Sequence, residues 1–310
     1  MEVAIVFPGQ GSQYVGMGKD LYENFDYVKE IFREASDALG KDIAHLCFKG
    51  PETELILTEN TQPAIFTASI ASFEVLRREL GLQAKVGAGH SLGEYTALVC
   101  SGVLDFKDAI SVLQKRGRFM QEAVPAGHGR MAAIIGLSTD EVLGIVEAVE
   151  GVVEIANLNG AGQIVISGER DPVHSAIEKA KLKGAKRALE LPVSAPFHCS
   201  LMIPAAERLV PFLKALSIGD FQFPVVANLT GMPYRASEEV PAFLEKQIYS
   251  PVRWEETILF IGRSPEGILV EAGPGKVLTG LGRRVLTRWK LASFGSLEDF
   301  VKVEEIQKQA

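Results

Sequence analysis

A serine stands between two glycines in the stretch GHSLG, where Gly89, Ser91 and Gly93 occupy alternate positions. The motif G-x-S-x-G is typical of a nucleophile elbow, a sharp and strained turn from a strand into a helix that exposes a serine hydroxyl. Apolar residues 86–88 predict the strand, and residues 93–101 predict the helix. The pattern therefore predicts that Ser91 is the nucleophile of an acyl-transfer reaction.

The helix after Ser91 predicts a site for negative charge beside the serine. A helix N-terminus carries partial positive charge, and the N–H of Leu92 is placed to donate a hydrogen bond to an oxyanion. Leu92 is therefore one predicted donor of an oxyanion hole.

A serine nucleophile needs a general base, and five histidines compete for this role. His198 is the preferred candidate because it lies in PVSAPFHC, a loop directly after a predicted strand, and because it follows Ser91 in chain order, as in α/β-hydrolase sites. His90 adjoins the serine, and neighbouring side chains on a tight turn point apart. Glu207 is the nearest acid after His198 and lies in a predicted helix. The group that orients the imidazole is thus either an acid distant in sequence or a main-chain carbonyl.

Arg116 falls on the apolar face of the helix predicted over residues 106–124. A cation facing the core costs on the order of several kcal/mol unless it is paired. The planar guanidinium suits a carboxylate. Arg116 therefore either pairs with an internal acid or binds an anionic ligand.

The elements around these residues alternate between strands and helices, which predicts an α/β fold with a mainly parallel sheet. Further predicted core strands and long helices lie at residues 3–7, 21–39, 63–80, 225–228 and 267–271. The last ten or so residues are charged and are predicted to form a loose tail.

The middle of the chain has a different order of predicted elements, βαββαβ, which is the ferredoxin-like arrangement. The segments are residues 131–137, 138–149, 152–157, 163–167, 171–183 and 187–191. Borders rich in glycine and proline favour an inserted small domain over one continuous sheet. We therefore predict a small domain at 127–191 inserted into a larger domain formed by 1–126 and 192–310.

Composition excludes several classes of protein. The chain has 310 residues, is 47% hydrophobic and has a formal net charge of −7, which argues against broad nucleic-acid binding, although a small basic patch is compatible with it. Three cysteines without a CxxC pair indicate a reducing compartment and predict no metal site. The N-terminus lacks the features of a signal peptide, and no apolar stretch reaches the length of a membrane span. A cytoplasmic protein is expected.

Two other functions are considered. A nucleotide-binding module built on PGQGSQ fails the dinucleotide pattern, because Tyr14 occupies the third glycine position. A serine esterase or thioesterase on a similar fold is the nearer alternative. Arg116 argues against it, since a lipase-like pocket does not require a buried cation.

The motifs together resemble those of the malonyl-CoA:acyl carrier protein transacylases and the related acyltransferase domains of fatty-acid and polyketide synthases. The likeness covers nearly the whole chain and includes FPGQGSQYVGMG, TQPAIF, GHSLGEYTAL, QKRGRFMQEAVP, NLNGAGQIVISG, PVSAPFHCSLM, QIYSPVRW and EAGPGKVLTGL. The resemblance implies a hydrolase-like α/β core with an inserted ferredoxin-like domain, in agreement with the predicted elements.

The resemblance also implies roles for individual residues. Ser91 would take the acyl group as an ester, and His198 would be its base in a dyad. The main-chain carbonyl of Gln247 would orient the imidazole. The N–H of Gln10 would join that of Leu92 in the oxyanion hole.

Substrate choice follows from the same resemblance. Arg116 would bind the free carboxylate of the malonyl group. Phe197 would crowd an α-methyl group and so favour malonyl over methylmalonyl. The implied partners are malonyl-CoA and acyl carrier protein, with no cofactor, nucleic acid or membrane, and the protein is expected to be a monomer.

Acyl carrier proteins are acidic, so a basic patch is expected beside the entrance to the site. The candidates are Lys186 with Arg187, or Arg283 with Arg284. Ordinary solvated charges are the alternative explanation for these four residues.

Overall fold

The computed structural model describes residues 2–125, 127–193 and 195–308. In these ranges the strands are β1 (Glu2–Phe7), β2 (Val86–Gly89), β3 (Gly129–Ile135), β4 (Val153–Gly160), β5 (Gln163–Glu169), β6 (Arg187–Glu190), β7 (Val225–Ala227), β8 (Met232–Pro233), β9 (Gly267–Ala272) and β10 (Lys290–Phe294).

The helices are α1 (Lys19–Asn24), α2 (Asp26–Leu39), α3 (Ile43–Lys49), α4 (Glu52–Leu55), α5 (Thr58–Glu79), α6 (Leu92–Cys100), α7 (Phe106–Glu122), α8 (Thr139–Glu147), α9 (Arg170–Leu182), α10 (Ile203–Lys214), α11 (Val240–Gln247), α12 (Trp254–Ile261), α13 (Val277–Gly282) and α14 (Phe300–Lys308).

The larger sheet has the strand order β10-β9-β1-β2-β7-β8. Its pairs are parallel, except that the short β8 runs antiparallel to β7. Residues Ala4 to Phe7 in β1 are completely buried, as expected for a central parallel strand covered by helices on both faces. The predicted α/β fold with a mainly parallel sheet is confirmed.

The smaller sheet is antiparallel and has the order β4-β5-β3-β6. Together with α8 and α9 it forms the predicted βαββαβ unit, and its apolar side chains make a cluster of their own. The hairpin between β4 and β5 turns on Ala161 and Gly162, with φ of 53° and 70°. Two consecutive positive φ angles match the type I′ turn that follows the twist of paired strands.

Three local predictions differ from the structure. The predicted tail contains α14, which is fixed by the completely buried Val303. The helix predicted over residues 21–39 is two helices, because Phe25 is extended between α1 and α2. Helix α5 begins at Thr58 and not at Pro63, which lies inside the helix.

Across 2–125, 127–193 and 195–308, no helix combines the length and apolar character needed to cross a membrane. The same ranges contain no group of three or more His, Cys, Asp or Glu residues arranged to hold a metal ion.

Candidate active site

The turn between β2 and α6 carries Ser91 at the carboxyl end of β2, an interior strand of the larger sheet. Ser91 has φ 53° and ψ −105°, a backbone conformation that is costly for a residue with a side chain. Its N–H donates to Oδ1 of Asn228 at 2.7 Å. The Nδ2 of Asn228 donates to the carbonyl of Gly89 at 2.6 Å. The completely buried Asn228 therefore fastens both sides of the turn.

The two glycines of the motif are required by close backbone contacts. A Cβ on Gly89 would lie 1.9 Å from the carbonyl carbon of Gly93. A Cβ on Gly93 would lie 2.2 Å from the carbonyl oxygen of Phe7 at the end of β1. Only glycine at both positions lets the strand, the turn and the helix approach so closely.

His198 lies directly against the serine. Its Nε2 is 2.8 Å from Oγ of Ser91, and its Nδ1 is 2.8 Å from the main-chain oxygen of Gln247. A carbonyl only accepts, so the Nδ1 carries the hydrogen and the Nε2 has a free lone pair for the serine proton. The group next to Nδ1 is thus a main-chain carbonyl and not an acid.

His198 is buried, and its φ is 60°. Burial, and then the positive charge of Arg116, lower the pKa of His198 to about 3. The imidazole is therefore neutral at neutral pH and able to accept a proton.

The loop that carries His198 is attached to the smaller sheet. Glu154 of β4 accepts hydrogen bonds from the main-chain N–H of Ser200, at 3.1 Å, and from its hydroxyl. The Oγ of Ser167 in β5 lies 3.7 Å from Sγ of Cys199. These contacts fix the two residues that directly follow the strained histidine.

The predicted oxyanion donors both line the cleft in front of Ser91. Leu92 is the first residue of α6, and Gln10 lies in the loop after β1. Because the first N–H groups of a helix have no acceptor within the helix, the N–H of Leu92 can donate to a ligand. These two amides and the serine thus border the same space.

Arg116 is 1% exposed and points from α7 toward the serine. Its Nη2 donates to Oγ of Ser91 at 3.0 Å and to Oε1 of Gln247 at 2.9 Å, and its Nη1 donates to Oε1 of Gln62 at 2.9 Å. Within the described ranges, no carboxylate lies at ion-pair distance from this guanidinium, and its Nε has no hydrogen-bond partner. Burial lowers the pKa of Arg116. Of the two alternatives left by the sequence, the structure thus favours an anionic ligand.

The cleft has a volume of about 220 Å³. Phe197, which is 8% exposed, forms part of its wall beside His198. The β4–β5 hairpin, including Asn159, also lines the cleft. Residues attached to both sheets therefore border the site.

His90 links the turn that carries Ser91 to the β4–β5 hairpin. Its Nε2 lies 3.0 Å from Oδ1 of Asn159, and its ring packs on Trp254 at 5.5 Å. Burial lowers the pKa of His90. Its hydrogen bond goes to the hairpin and not to the hydroxyl of Ser91.

Four site residues were missed by sequence analysis: Gln62, Glu94, Asn228 and Tyr234. Glu94 carried a detectable signal, because it is a charged residue within the largely apolar helix α6. Gln62 carried none, because α5 begins with a polar segment, residues 58–62. Asn228 follows the end of β7, which runs parallel to β2. The carboxyl ends of parallel strands lie at the same end of a sheet, and this was the signal for Asn228. Tyr234 had no sequence signal, since a tyrosine beside a short strand is common in any fold.

The basic residues proposed for carrier docking are Lys186, Arg187, Arg283 and Arg284. All four are exposed. The Nη1 of Arg284 lies 3.5 Å from the carbonyl of Ala161 in the β4–β5 hairpin. The pair Arg283 and Arg284 is therefore close to the hairpin that lines the cleft.

A serine and a histidine in this arrangement can form and break an acyl ester. Residues 4–298 match the family described as acyl transferase domain, and the chain belongs to this family. The predicted family membership is confirmed.

Two curated relatives are named malonyl CoA-acyl carrier protein transacylase. The protein from Bacillus subtilis (strain 168) is 48% identical over 292 residues, which cover 93% of this chain and 92% of the relative. That from Escherichia coli (strain K12) is 46% identical over 287 residues, 92% of this chain and 93% of the relative.

Two solved structures have a backbone similar to that of this chain over nearly its full length. The malonyl CoA-acyl carrier protein transacylase from Clostridium perfringens ATCC 13124 has a TM-score of 0.96 and 40% identity, covering 100% of this chain and 98% of that one. A malonyl-transacylase in complex with a type II PKS acyl-carrier protein has a TM-score of 0.95 and 45% identity, covering 98% of this chain and 99% of that one.

Proposed function

We propose that this protein transfers the malonyl group from malonyl-CoA to the phosphopantetheine thiol of acyl carrier protein, through an ester on Ser91. One observation carries the proposal: a single hydroxyl lies within hydrogen-bond distance of both a neutral imidazole and a buried guanidinium. The imidazole supplies the base, and the guanidinium supplies a partner for the carboxylate of the acyl group. The names of the relatives agree with this substrate pair.

In the first half-reaction, Oγ of Ser91 attacks the thioester carbonyl while Nε2 of His198 takes the hydroxyl proton. The main-chain N–H groups of Leu92 and Gln10 stabilise the tetrahedral oxyanion, at about 3–4 kcal/mol for each donor in comparable sites. The C–S bond then breaks, and the CoA sulfur leaves with the proton from His198.

In the second half-reaction, the carrier thiol gives its proton to His198 and attacks the ester carbonyl. The C–Oγ bond breaks, and Ser91 regains its proton from the imidazole. CoA must leave before the carrier enters the same cleft, so the kinetics are ping-pong. The main-chain oxygen of Gln247 holds the Nδ1–H of His198 during both steps.

Arg116 and Phe197 set the choice of acyl group. The malonyl carboxylate replaces the hydroxyl of Ser91 as a partner of the guanidinium, in a charge-assisted hydrogen bond. The ring of Phe197 leaves little room for a methyl group on the α-carbon.

The proposal extends to the organisation of the chain. Residues 127–191 form an inserted domain, and 1–126 with 192–310 form the larger one. Support comes from the separate antiparallel sheet and from its own apolar cluster. Positions 1, 126, 309 and 310, at the ends of these ranges, lie outside the described residues.

Further parts of the proposal concern partners and location. The reaction needs no resident cofactor, because the nucleophile is a side chain and the pantetheine belongs to the carrier. The exposed cations Arg283 and Arg284 receive the acidic carrier, with Lys186 and Arg187 as the second candidate pair. The protein acts as a monomer in the cytoplasm, without nucleic acid or membrane.

Intact-mass measurement tests the function. Malonyl-CoA should add one malonyl group to the wild type and none to Ser91→Ala, and acyl carrier protein should then remove the adduct. Hydrolysis of the adduct at the same rate with and without carrier protein would identify a thioesterase and contradict the proposal.

A further inference from the structure

Glu94 is a buried carboxylate that has no part in the acyl-transfer steps described above. It lies on α6, one turn after Ser91, and is 1% exposed. A buried carboxylate is costly unless several donors surround it. Its partners therefore indicate what it does.

Three donors converge on Glu94. The hydroxyl of Tyr234 donates to Oε1 at 2.5 Å, Nε2 of Gln247 donates to Oε2 at 2.6 Å, and the main-chain N–H of Asn228 donates to Oε2 at 3.2 Å. All three stabilise the ionised form. Glu94 thus accepts a hydrogen bond from each of these three groups.

The side chain of Gln247 connects Glu94 to Arg116. Its Oε1 accepts from Nη2 of Arg116 at 2.9 Å, and its Nε2 donates to Glu94 at 2.6 Å and to the main-chain oxygen of Ser91 at 2.9 Å. An ionised carboxylate only accepts and a guanidinium only donates. Only one orientation of the Gln247 amide therefore satisfies both Arg116 and Glu94. If the amide were reversed, its NH₂ group would face the guanidinium and its oxygen would face the carboxylate.

The link from Glu94 through Gln247 to Arg116 also joins two groups of opposite charge. The guanidinium has no carboxylate at ion-pair distance in the part of the chain that the structure describes. Glu94 lies beyond the amide. Burial raises the pKa of its carboxyl to about 7, and attraction to Arg116 opposes that rise. In its ionised form Glu94 is thus a counter-charge that the substrate carboxylate does not have to displace.

We propose that Glu94 is a positioning residue that, through the amide of Gln247, holds the guanidinium of Arg116 beside Ser91 and so maintains the preference for malonyl thioesters. This inference rests on the proposed function, because it takes the malonyl carboxylate as the ligand of Arg116.

The main test is Glu94→Gln, which keeps the shape and removes the charge. The NH₂ group of the new glutamine side chain would face the groups that now donate to Glu94. The side-chain amide of Gln247 would then no longer be held in a single orientation. We expect kcat/KM for malonyl-CoA to fall about 10- to 100-fold, with a much smaller loss for acetyl-CoA, which has no carboxylate. An unchanged malonyl-to-acetyl ratio would overturn the inference.

The matched control is Glu74→Gln. Glu74 pairs with Arg77 and Arg78 on the surface of α5 and has no contact with the site. This variant should keep the malonyl-to-acetyl ratio of the wild type.

A double-mutant cycle separates positioning from general damage. In an Arg116→Ala background, Glu94→Gln should not reduce the malonyl-to-acetyl ratio further, since the group that it positions is gone. Additive losses would show that Glu94 acts on the fold and not through Arg116, and would contradict the inference.

A second variant decides the matter if Glu94→Gln does not fold. Tyr234→Phe removes one donor to Glu94 and preserves the ring. It should lower the malonyl-to-acetyl ratio in the same direction but by less, and an unchanged ratio would refute the inference. Absence of a malonyl preference in the wild type would instead disprove the proposed function.

Discussion

Nη2 of Arg116 donates a hydrogen bond to Oγ of Ser91 at 3.0 Å. Once an acyl group occupies this oxygen, the hydroxyl proton is gone and the oxygen becomes a weaker acceptor. The guanidinium is then available to the carboxylate at the other end of a three-carbon acyl group. The same cation therefore lies beside the nucleophile before the reaction, and in the proposed mechanism it binds the acyl group after it.

Replacing Arg116 by alanine should remove the preference for malonyl thioesters. A charge-assisted hydrogen bond contributes about 1.5–3 kcal/mol, so kcat/KM for malonyl-CoA should fall by at least about 10-fold relative to acetyl-CoA. Arg116→Lys keeps the charge without the fork and should recover part of the preference. Competition between the two thioesters measures this ratio, and a selective Arg116→Ala enzyme would contradict the assignment.

Replacing Asn228 by alanine should damage the turn around the nucleophile. The N–H of Ser91 and the carbonyl of Gly89 would both lose their partner, at about 1–3 kcal/mol for each unpaired buried group. Urea unfolding should show the loss, and the rate of acyl-enzyme formation should fall with it. The exposed Asn24→Ala serves as control and should change stability by less than about 0.5 kcal/mol.

Adding a methyl group at Gly89 should prevent the elbow from forming. The new Cβ in Gly89→Ala would lie 1.9 Å from backbone atoms of Gly93, so we expect loss of folded protein or of all acylation. Gly144 lies in α8, and a Cβ there would have no heavy atom within 4 Å. Gly144→Ala should therefore raise stability by about 0.5–1 kcal/mol. Thermal unfolding of both variants tests the contrast.

Shortening Phe197 should relax the choice of acyl group. Phe197→Ala would open the wall of the cleft beside His198, and one methyl group changes discrimination by about 1–3 kcal/mol. Methylmalonyl-CoA should gain on malonyl-CoA by about 10-fold or more in competition. Phe212→Ala, on α10 and partly exposed, should leave the ratio unchanged. Equal ratios in both variants would show that Phe197 does not set the preference.

His198 should make the fold more sensitive to acid. Its pKa is lowered from 6.5 to about 3 in the folded protein, so the unfolded chain binds the proton more readily between these values. The free energy of unfolding therefore decreases as pH falls from about 6.5 toward 3. This contribution is absent in His198→Gln. Between pH 7 and pH 5, the free energy of unfolding of the variant should therefore decrease less than that of the wild type, by on the order of 1–2 kcal/mol.

Another buried group acts in the opposite direction. Burial raises the pKa of Glu94 to about 7, so its contribution to the free energy of unfolding increases as pH falls below 7. Both proteins contain Glu94, and its effect cancels in the comparison. Urea titrations at the two pH values decide the prediction, and equal acid sensitivity would contradict it.

Sequence analysis identified the elements whose pattern is local. The continuous apolar run in β1 and the glycines around Ser91 follow from backbone geometry over a few residues. The order of elements between 127 and 191 likewise predicted an antiparallel sheet, which the structure contains. The fold class and the family were therefore predictable without coordinates.

Contacts between distant segments were less predictable. Asn228 follows a three-residue strand, and its position beside Ser91 depends on the pairing of that strand with β2. The amide of Gln247 is likewise explained only when Glu94 and Arg116 are seen on either side of it. Burial alone identifies such residues, because a polar side chain in the interior requires partners.

The central position of β1 has a consequence for synthesis on the ribosome. β1 pairs with β2 on one side and with β9, which begins at Gly267, on the other. The nascent chain exposes one unpaired edge of this strand until most of the polypeptide has left the exit tunnel. Gln247, whose main-chain oxygen pairs with Nδ1 of His198, lies 49 residues further along the chain, so this hydrogen bond cannot form until that segment has also been made.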